Sequence, residues 1–157
     1  MKYFKLIVLL FFSHFVFSQN LESLKKLDTI YVYFNYGKYE HKTDYSKIEK
    51  VTEFSKNVKR YIFELDTSNS VIFNYNKYKD FDAYFKNIIT DVKIVKKSFL
   101  RKNKDKIVDI NFFLKYGFKE MFFLLYGKTI YIIDKNEIVK NKITLKQVWI
   151  MSDYIEE

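Results

Sequence analysis

The chain has 157 residues, a formal net charge of +9 and no cysteine. Its length fits one domain that can bury a core of its own. Without cysteine, the chain has no disulfide, no thiolate nucleophile and no cysteine-based zinc or iron–sulfur site.

The leader has the composition of a secretory signal peptide. Lys2 and Lys5 precede an apolar run at 6–12, and Ser18 supplies a small residue at the point of cleavage. A membrane-spanning helix needs about 20 apolar residues, so this run is too short to be an anchor. The sequence therefore predicts cleavage before Gln19 and export to the periplasm or the exterior.

The remainder, 19–157, is predicted to be a single exported globular domain after removal of the signal peptide at 1–18. No repeat, proline-rich linker or low-complexity block divides it, and no second long apolar run suggests a transmembrane segment. Strands are indicated by runs rich in β-branched and aromatic residues. These strands lie near 28–36, 59–66, 70–76, 129–134 and 142–150.

Between the strands, apolar residues recur at helical spacing. The segment 43–58 fits an amphipathic helix, a polar strand or a loop, whereas 81–88 carries one apolar helical stripe. Asp109 is a typical N-cap for a helix that Gly117 ends, and a second short helix follows that glycine. The pattern predicts a small α+β domain with a mostly antiparallel sheet and three or four short helices.

The residue types give little indication of catalysis. His41 is the only histidine after the leader, so a metal site built on several histidines is excluded. No serine lies in a G-x-S-x-G pattern that His41 could activate. We interpret His41 as a solvated residue in a polar surface connection that follows Gly37, and we predict no cofactor and no metal.

Carboxylates leave one catalytic hypothesis open, because a glycan hydrolase needs an acid pair facing its substrate. Four carboxylates near the ends of predicted elements are candidates, but each also has a plain structural role in a turn, a helix cap or a polar helix face. The candidates are Asp66, Asp109, Asp134 and Glu120.

A basic stretch between 96 and 106 is the first candidate binding site. It can attract an anionic glycan, a lipid headgroup or an acidic protein surface, with Phe99 and Leu100 as an apolar contact. The alternative is a solvated loop in a lysine-rich chain. The predicted binding residues here are Lys96, Lys97, Arg101, Lys102, Lys104 and Lys106.

Tyrosines in the first strand are the second candidate, because broad amphipathic rings make adaptable contacts with sugars and proteins. Tyr31 and Tyr33 share one face of that strand. Together the features favour a non-catalytic exported protein that binds a protein partner or an anionic polymer. The alternative is a small carboxylate-based hydrolase acting on glycans, and export argues against nucleic acid as the ligand.

Overall fold

The computed structural model describes residues 21–44, 58–76 and 91–151. The strands in these ranges are β1 (Thr29–Phe34), β2 (Glu40–Asp44), β3 (Val58–Asp66), β4 (Asn69–Asn76), β5 (Val92–Lys96), β6 (Ile107–Val108), β7 (Thr129–Asp134) and β8 (Lys142–Met151). The helices are α1 (Leu21–Lys25), α2 (Ser98–Lys102), α3 (Ile110–Tyr116) and α4 (Phe118–Leu125). Short 3₁₀ turns occupy Lys104–Lys106 and Lys135–Glu137.

All eight strands belong to one mixed sheet of a single domain, in the order β2-β3-β4-β8-β7-β1-β6. The long strand β8 pairs with β7 on one edge and with both β4 and β5 on the other. β7, β1 and β6 run parallel, so the predicted antiparallel sheet is only roughly right. β7 is buried at five of its six positions, which is typical of a parallel strand covered on both faces.

The main core lies on the inner face of this sheet, which curls until distant strands meet. Phe34 of β1 stacks on Phe63 of β3 with ring centres 5.7 Å apart. Phe113 of α3 packs edge-on against Phe63 at 4.9 Å, and Met121 of α4 is fully buried in the same cluster. The alternation of buried and half-buried residues in β1 places Ile30, Val32 and Phe34 on this inner face.

A second core lies on the outer face of β7 and β8. Tyr131, Ile133, Ile143 and Leu145 form its buried part, and half-buried Tyr31, Tyr33, Phe99 and Leu100 pack against them. Phe99 and Leu100 belong to α2, so this helix closes the outer face. The basic stretch is therefore attached to the core through its two apolar residues.

Helix boundaries at α3 and α4 confirm the predicted caps. The Asp109 carboxylate accepts a hydrogen bond from the Asn111 backbone N–H at 3.0 Å, as an N-cap does. Gly117, at φ +91°, separates α3 from α4, and a side chain is disfavoured in that conformation. No helix in the ranges 21–44, 58–76 and 91–151 is long and apolar enough to cross a membrane.

The five predicted strands are confirmed. The polar surface connection that was predicted to follow Gly37 is wrong in part, because Glu40–Asp44 within it form β2. Its residues pair with β3 in register from Glu40 opposite Phe63 to Asp44 opposite Lys59. The strand is polar because it is the last strand of the sheet order, and such strands commonly carry charges. The residues 98–106, interpreted as a possible loop, form α2 and a 3₁₀ turn.

Three predictions lie outside the described residues. They are the signal peptide at 1–18, the helical stripe at 81–88 and most of the ambiguous segment at 43–58. Of that last segment, Thr43 and Asp44 end β2, and Val58 begins β3 as a buried residue.

Candidate functional site

The basic stretch joins a second basic segment that the sequence analysis did not identify. Lys96, the last residue of β5, lies directly opposite Lys142 of β8 in the antiparallel register. The Lys97 backbone N–H donates to the Asn141 carbonyl oxygen at 2.9 Å. β8 therefore brings Lys140 and Lys142 beside residues far away in the sequence.

The tight turn before β8 presents a lysine in an unfavourable backbone conformation. Val139 and Lys142 exchange two backbone hydrogen bonds, at 2.9 and 3.1 Å, around Lys140 and Asn141. Lys140 has φ +44° and Asn141 has φ +65°, as a two-residue type I′ hairpin turn requires. Asparagine tolerates this region well, but a lysine with positive φ is uncommon.

Like charges also face each other across β5 and β8. Lys96 and Lys142 are both exposed, and their side chains leave the sheet on the same face because they are directly paired. Equal charges at such a position destabilise the pair. We call the set of basic residues around this pair the cationic surface; it comprises Lys96, Lys97, Arg101, Lys102, Lys104, Lys106, Lys140 and Lys142.

A cavity of about 370 Å³ lies beside the 3₁₀ turn of the basic stretch. It brings together Tyr33 and Lys104, which the sequence analysis assigned to separate candidate sites. Its walls are mainly apolar, and exposed polar residues stand at its rim. The lining residues are Tyr33, Leu100, Lys104, Ile107, Val108, Asp109, Asn111, Phe112 and Lys115.

The two predicted tyrosines differ in their surroundings. Tyr31 packs edge-on against Phe99 at 4.8 Å and stacks on Tyr131 at 5.8 Å, so it belongs to the second core. Tyr33 is half-buried and lines the cavity. Burial, and then the nearby Glu40 carboxylate, raise the pKa of Tyr33, so its hydroxyl stays protonated at neutral pH.

Four charged side chains meet at the carboxyl end of β7. Asp134 is 1% exposed and accepts a hydrogen bond from Lys42 Nζ at 2.5 Å. Lys42 Nζ also lies 3.3 Å from Glu137 Oε1, and the other Glu137 oxygen pairs with Lys146 Nζ. These residues form a chain of alternating charge, Asp134–Lys42–Glu137–Lys146, which we call the buried charged cluster.

Two members of the cluster have pKa values below their usual values, for different reasons. Burial by itself would raise the pKa of Asp134, but hydrogen bonds from Lys42 and Tyr36 outweigh burial and hold that pKa below its usual value. Burial lowers the pKa of Lys146, although its pairing with Glu137 opposes that change. Asp134 therefore remains ionised at neutral pH and is compensated by Lys42.

A strained turn after β1 completes the cluster. Tyr36, at φ +63°, donates its hydroxyl proton to Asp134 Oδ2 at 2.9 Å. Glu40, which is 5% exposed, accepts from the Asn35 backbone N–H at 3.0 Å and from the Gly37 backbone N–H. A Cβ at Gly37 would lie 3.0 Å from Glu40 Oε2, so a larger residue there would push the Glu40 carboxylate away from its backbone partners by a few tenths of an ångström.

The remaining carboxylate candidates lie apart from the buried charged cluster. Asp66 accepts from the Ser68 backbone N–H at 2.9 Å in the β3–β4 turn, and Asp109 caps α3. Glu120 is exposed in the first turn of α4. Asp134 was interpreted as a turn residue, and it does accept from the Asn136 N–H at 3.0 Å, but its central place in a buried cluster was missed.

His41 is exposed on β2. Its partner across the ladder is Ile62 of β3. Within the described ranges, no group of three or more histidine, aspartate or glutamate side chains is arranged to hold a metal ion.

Comparison of the chain with protein-family models, with curated proteins and with solved structures found no match. The cationic surface, the cavity and the buried charged cluster are therefore the features of the described residues that bear on function.

Proposed function

We propose that the protein is a non-catalytic, exported binding protein whose cationic surface holds an anionic polysaccharide. The pairing of Lys96 with Lys142 across β5 and β8 carries this proposal. Two equal charges in direct opposition cost stability, and the chain adds Lys140 in a strained turn beside them. A bound polyanion would neutralise all three charges at once, so the local cost is offset when the ligand is present.

The chemistry of the surface fits a flexible polyanion better than a single small anion. Lysine is a hydrated point charge on a long flexible stem, whereas arginine gives the fixed two-pronged geometry that suits one carboxylate or phosphate. Arg101 is the only arginine of the surface, and the remaining seven members are lysines. Such an array attracts a chain of sulfate or carboxylate groups without demanding one geometry.

The hydrolase alternative has less support. Lys42 contacts both Asp134 and Glu137, which places these two carboxylates near each other, as a glycan hydrolase would need. Both are bound to lysines, however, and Asp134 is 1% exposed, so a sugar could reach it only if the cluster opened. Asp109, at the cavity, is engaged as a helix cap.

The charge pair gives a direct test of the proposal. We expect Lys96→Gln with Lys142→Gln to weaken binding to dextran sulfate about fivefold, because each exposed charge contributes a fraction of a kcal/mol to the interaction. The same change leaves thermal stability equal or slightly higher, since it removes a repulsion. Calorimetric titration and thermal unfolding measure the two effects.

Two comparisons control this experiment. Lys26→Gln with Lys119→Gln removes the same number of exposed charges from the residue after α1 and from α4, outside the cationic surface, and should weaken binding less. Uncharged dextran should not bind, and added salt should weaken dextran sulfate binding steeply. Equal losses from both double variants, or binding that ignores salt, would contradict the proposed surface.

Export is part of the proposal and rests on the leader. Cleavage after Ser18 would make Gln19 the N-terminal residue of the exported protein. N-terminal sequencing of material collected from the periplasm and the medium tests this prediction. Exported protein that still begins at Met1 would contradict it.

A further inference from the structure

The cavity beside the basic stretch has the size and lining of a small-molecule site. Its volume, about 370 Å³, lies within the usual range for ligand pockets, about 300–1,000 Å³. This volume equals that of about 12 water molecules, at about 30 Å³ each. Leu100, Ile107 and Phe112 give it apolar walls, which favour a hydrocarbon body over a sugar.

The topology places the cavity where sheets with parallel strands commonly bind ligands. Tyr33 is next to the last residue of β1, and Val108 is the last residue of β6. These strands are parallel neighbours, so their carboxyl ends meet at the same edge of the sheet. In open α/β sheets, ligands bind in the crevice outside these carboxyl ends.

The rim of the cavity carries a net positive charge. Lys104 and Lys115 are exposed lining residues, and Asp109 is the carboxylate among the lining residues. Asn111 donates to Asp109 from its backbone N–H at 3.0 Å and from its side chain at 3.2 Å. The acid is thus committed to capping α3, and the exposed lysines give the mouth of the cavity its net positive charge.

We infer that this cavity binds a single-chain amphiphile, with its hydrocarbon chain between Leu100 and Phe112 and its carboxylate at the rim beside Lys104 and Lys115. The protonated hydroxyl of Tyr33 offers a hydrogen-bond donor to the same ligand. This site goes beyond the proposed polysaccharide surface and shares only Lys104 with it. The two can therefore be tested with different variants and different ligands.

Decanoate and decanol are the probes, because they share a chain and differ in charge. We expect calorimetric titration below the micelle concentration to show one decanoate per protein and weaker binding of decanol. Leu100→Trp fills the cavity and should reduce decanoate binding at least tenfold. Lys115→Gln should weaken decanoate about threefold to fivefold and leave decanol unchanged.

Lys119→Gln is the matched control, since Lys119 is exposed but does not line the cavity. Lys96→Gln with Lys142→Gln should also leave decanoate binding unchanged, which separates this site from the cationic surface. The inference is wrong if wild-type protein does not bind decanoate, if decanol binds equally well, or if a folded Leu100→Trp binds as wild type does. If Leu100→Trp does not fold, the contrast between Lys115→Gln and Lys119→Gln decides, and equal affinities would overturn the inference.

Discussion

Asp134→Asn should lower the free energy of unfolding by about 3 kcal/mol at neutral pH, because it leaves half-buried Lys42 without its closest partner, the buried Asp134 carboxylate. This value is at the low end of the range for broken buried pairs, since Lys42 retains Glu137 at 3.3 Å. Urea unfolding measures the loss. Asp105→Asn is the control on an exposed aspartate of the 3₁₀ turn and should stay within about 0.5 kcal/mol.

The same loss should depend on pH in a defined direction. The folded-state pKa of Asp134 lies below its unfolded value, so its contribution to stability is present above the unfolded pKa and disappears as pH falls through the folded one. The difference between wild type and Asp134→Asn should thus be full at pH 7 and shrink below about pH 4. A difference that is constant down to pH 3 would show that the carboxylate charge is not what stabilises the fold.

A double-variant cycle checks that Asp134 acts through Lys42. Lys42→Met combined with Asp134→Leu replaces the closest charged contact by apolar side chains, and such replacements are often neutral or stabilising. The double variant should cost clearly less than the sum of the two single changes. Purely additive costs would mean that the 2.5 Å contact does not couple these residues.

Phe63→Ala should be the most destabilising single change, at about 3–5 kcal/mol. Phe63 is fully buried on β3 and contacts Phe34, Phe73 and Phe113, which belong to three other elements. Removing its ring leaves a cavity where the curled sheet meets α3. A loss of this size is a large part of the stability of an ordinary domain, about 5–15 kcal/mol.

Phe123→Ala is the matched control for the ring deletion. Phe123 is on α4 and is 57% exposed, so its removal should change the free energy of unfolding by less than about 0.5 kcal/mol. Denaturant unfolding of both variants gives the comparison. Similar losses for the two phenylalanines would contradict the central position of Phe63 in the main core.

The sequence predicted the elements whose side chains show a strong local pattern. β1 has three inward residues at alternate positions, and α3 has both an N-cap and a terminal glycine. It did not predict β2, because a polar strand at the end of the sheet has too few apolar positions to reveal its period. Parallel pairing was also missed, since it depends on which distant strands meet and not on any one segment.

Only part of the candidate site was predicted, because the rest depends on contacts between segments that are distant in the sequence. The six basic residues between 96 and 106 form a run that is visible in the sequence, whereas Lys140 and Lys142 join them only through the pairing of β5 with β8. Asp134 resembled an ordinary turn residue because its lysine partner, Lys42, lies 92 positions away. Lys146 gave no clear signal either, because β8 contains other polar residues at positions 142, 144 and 147.

The most direct test of the proposed binding surface is a map of backbone amide chemical shifts during titration with dextran sulfate. The proposal predicts that the largest changes fall in 96–106 and 139–142, on two segments joined only by the β5–β8 pairing, and that they diminish as salt is added. Changes centred on α4 instead, or no localised changes at low salt, would contradict it.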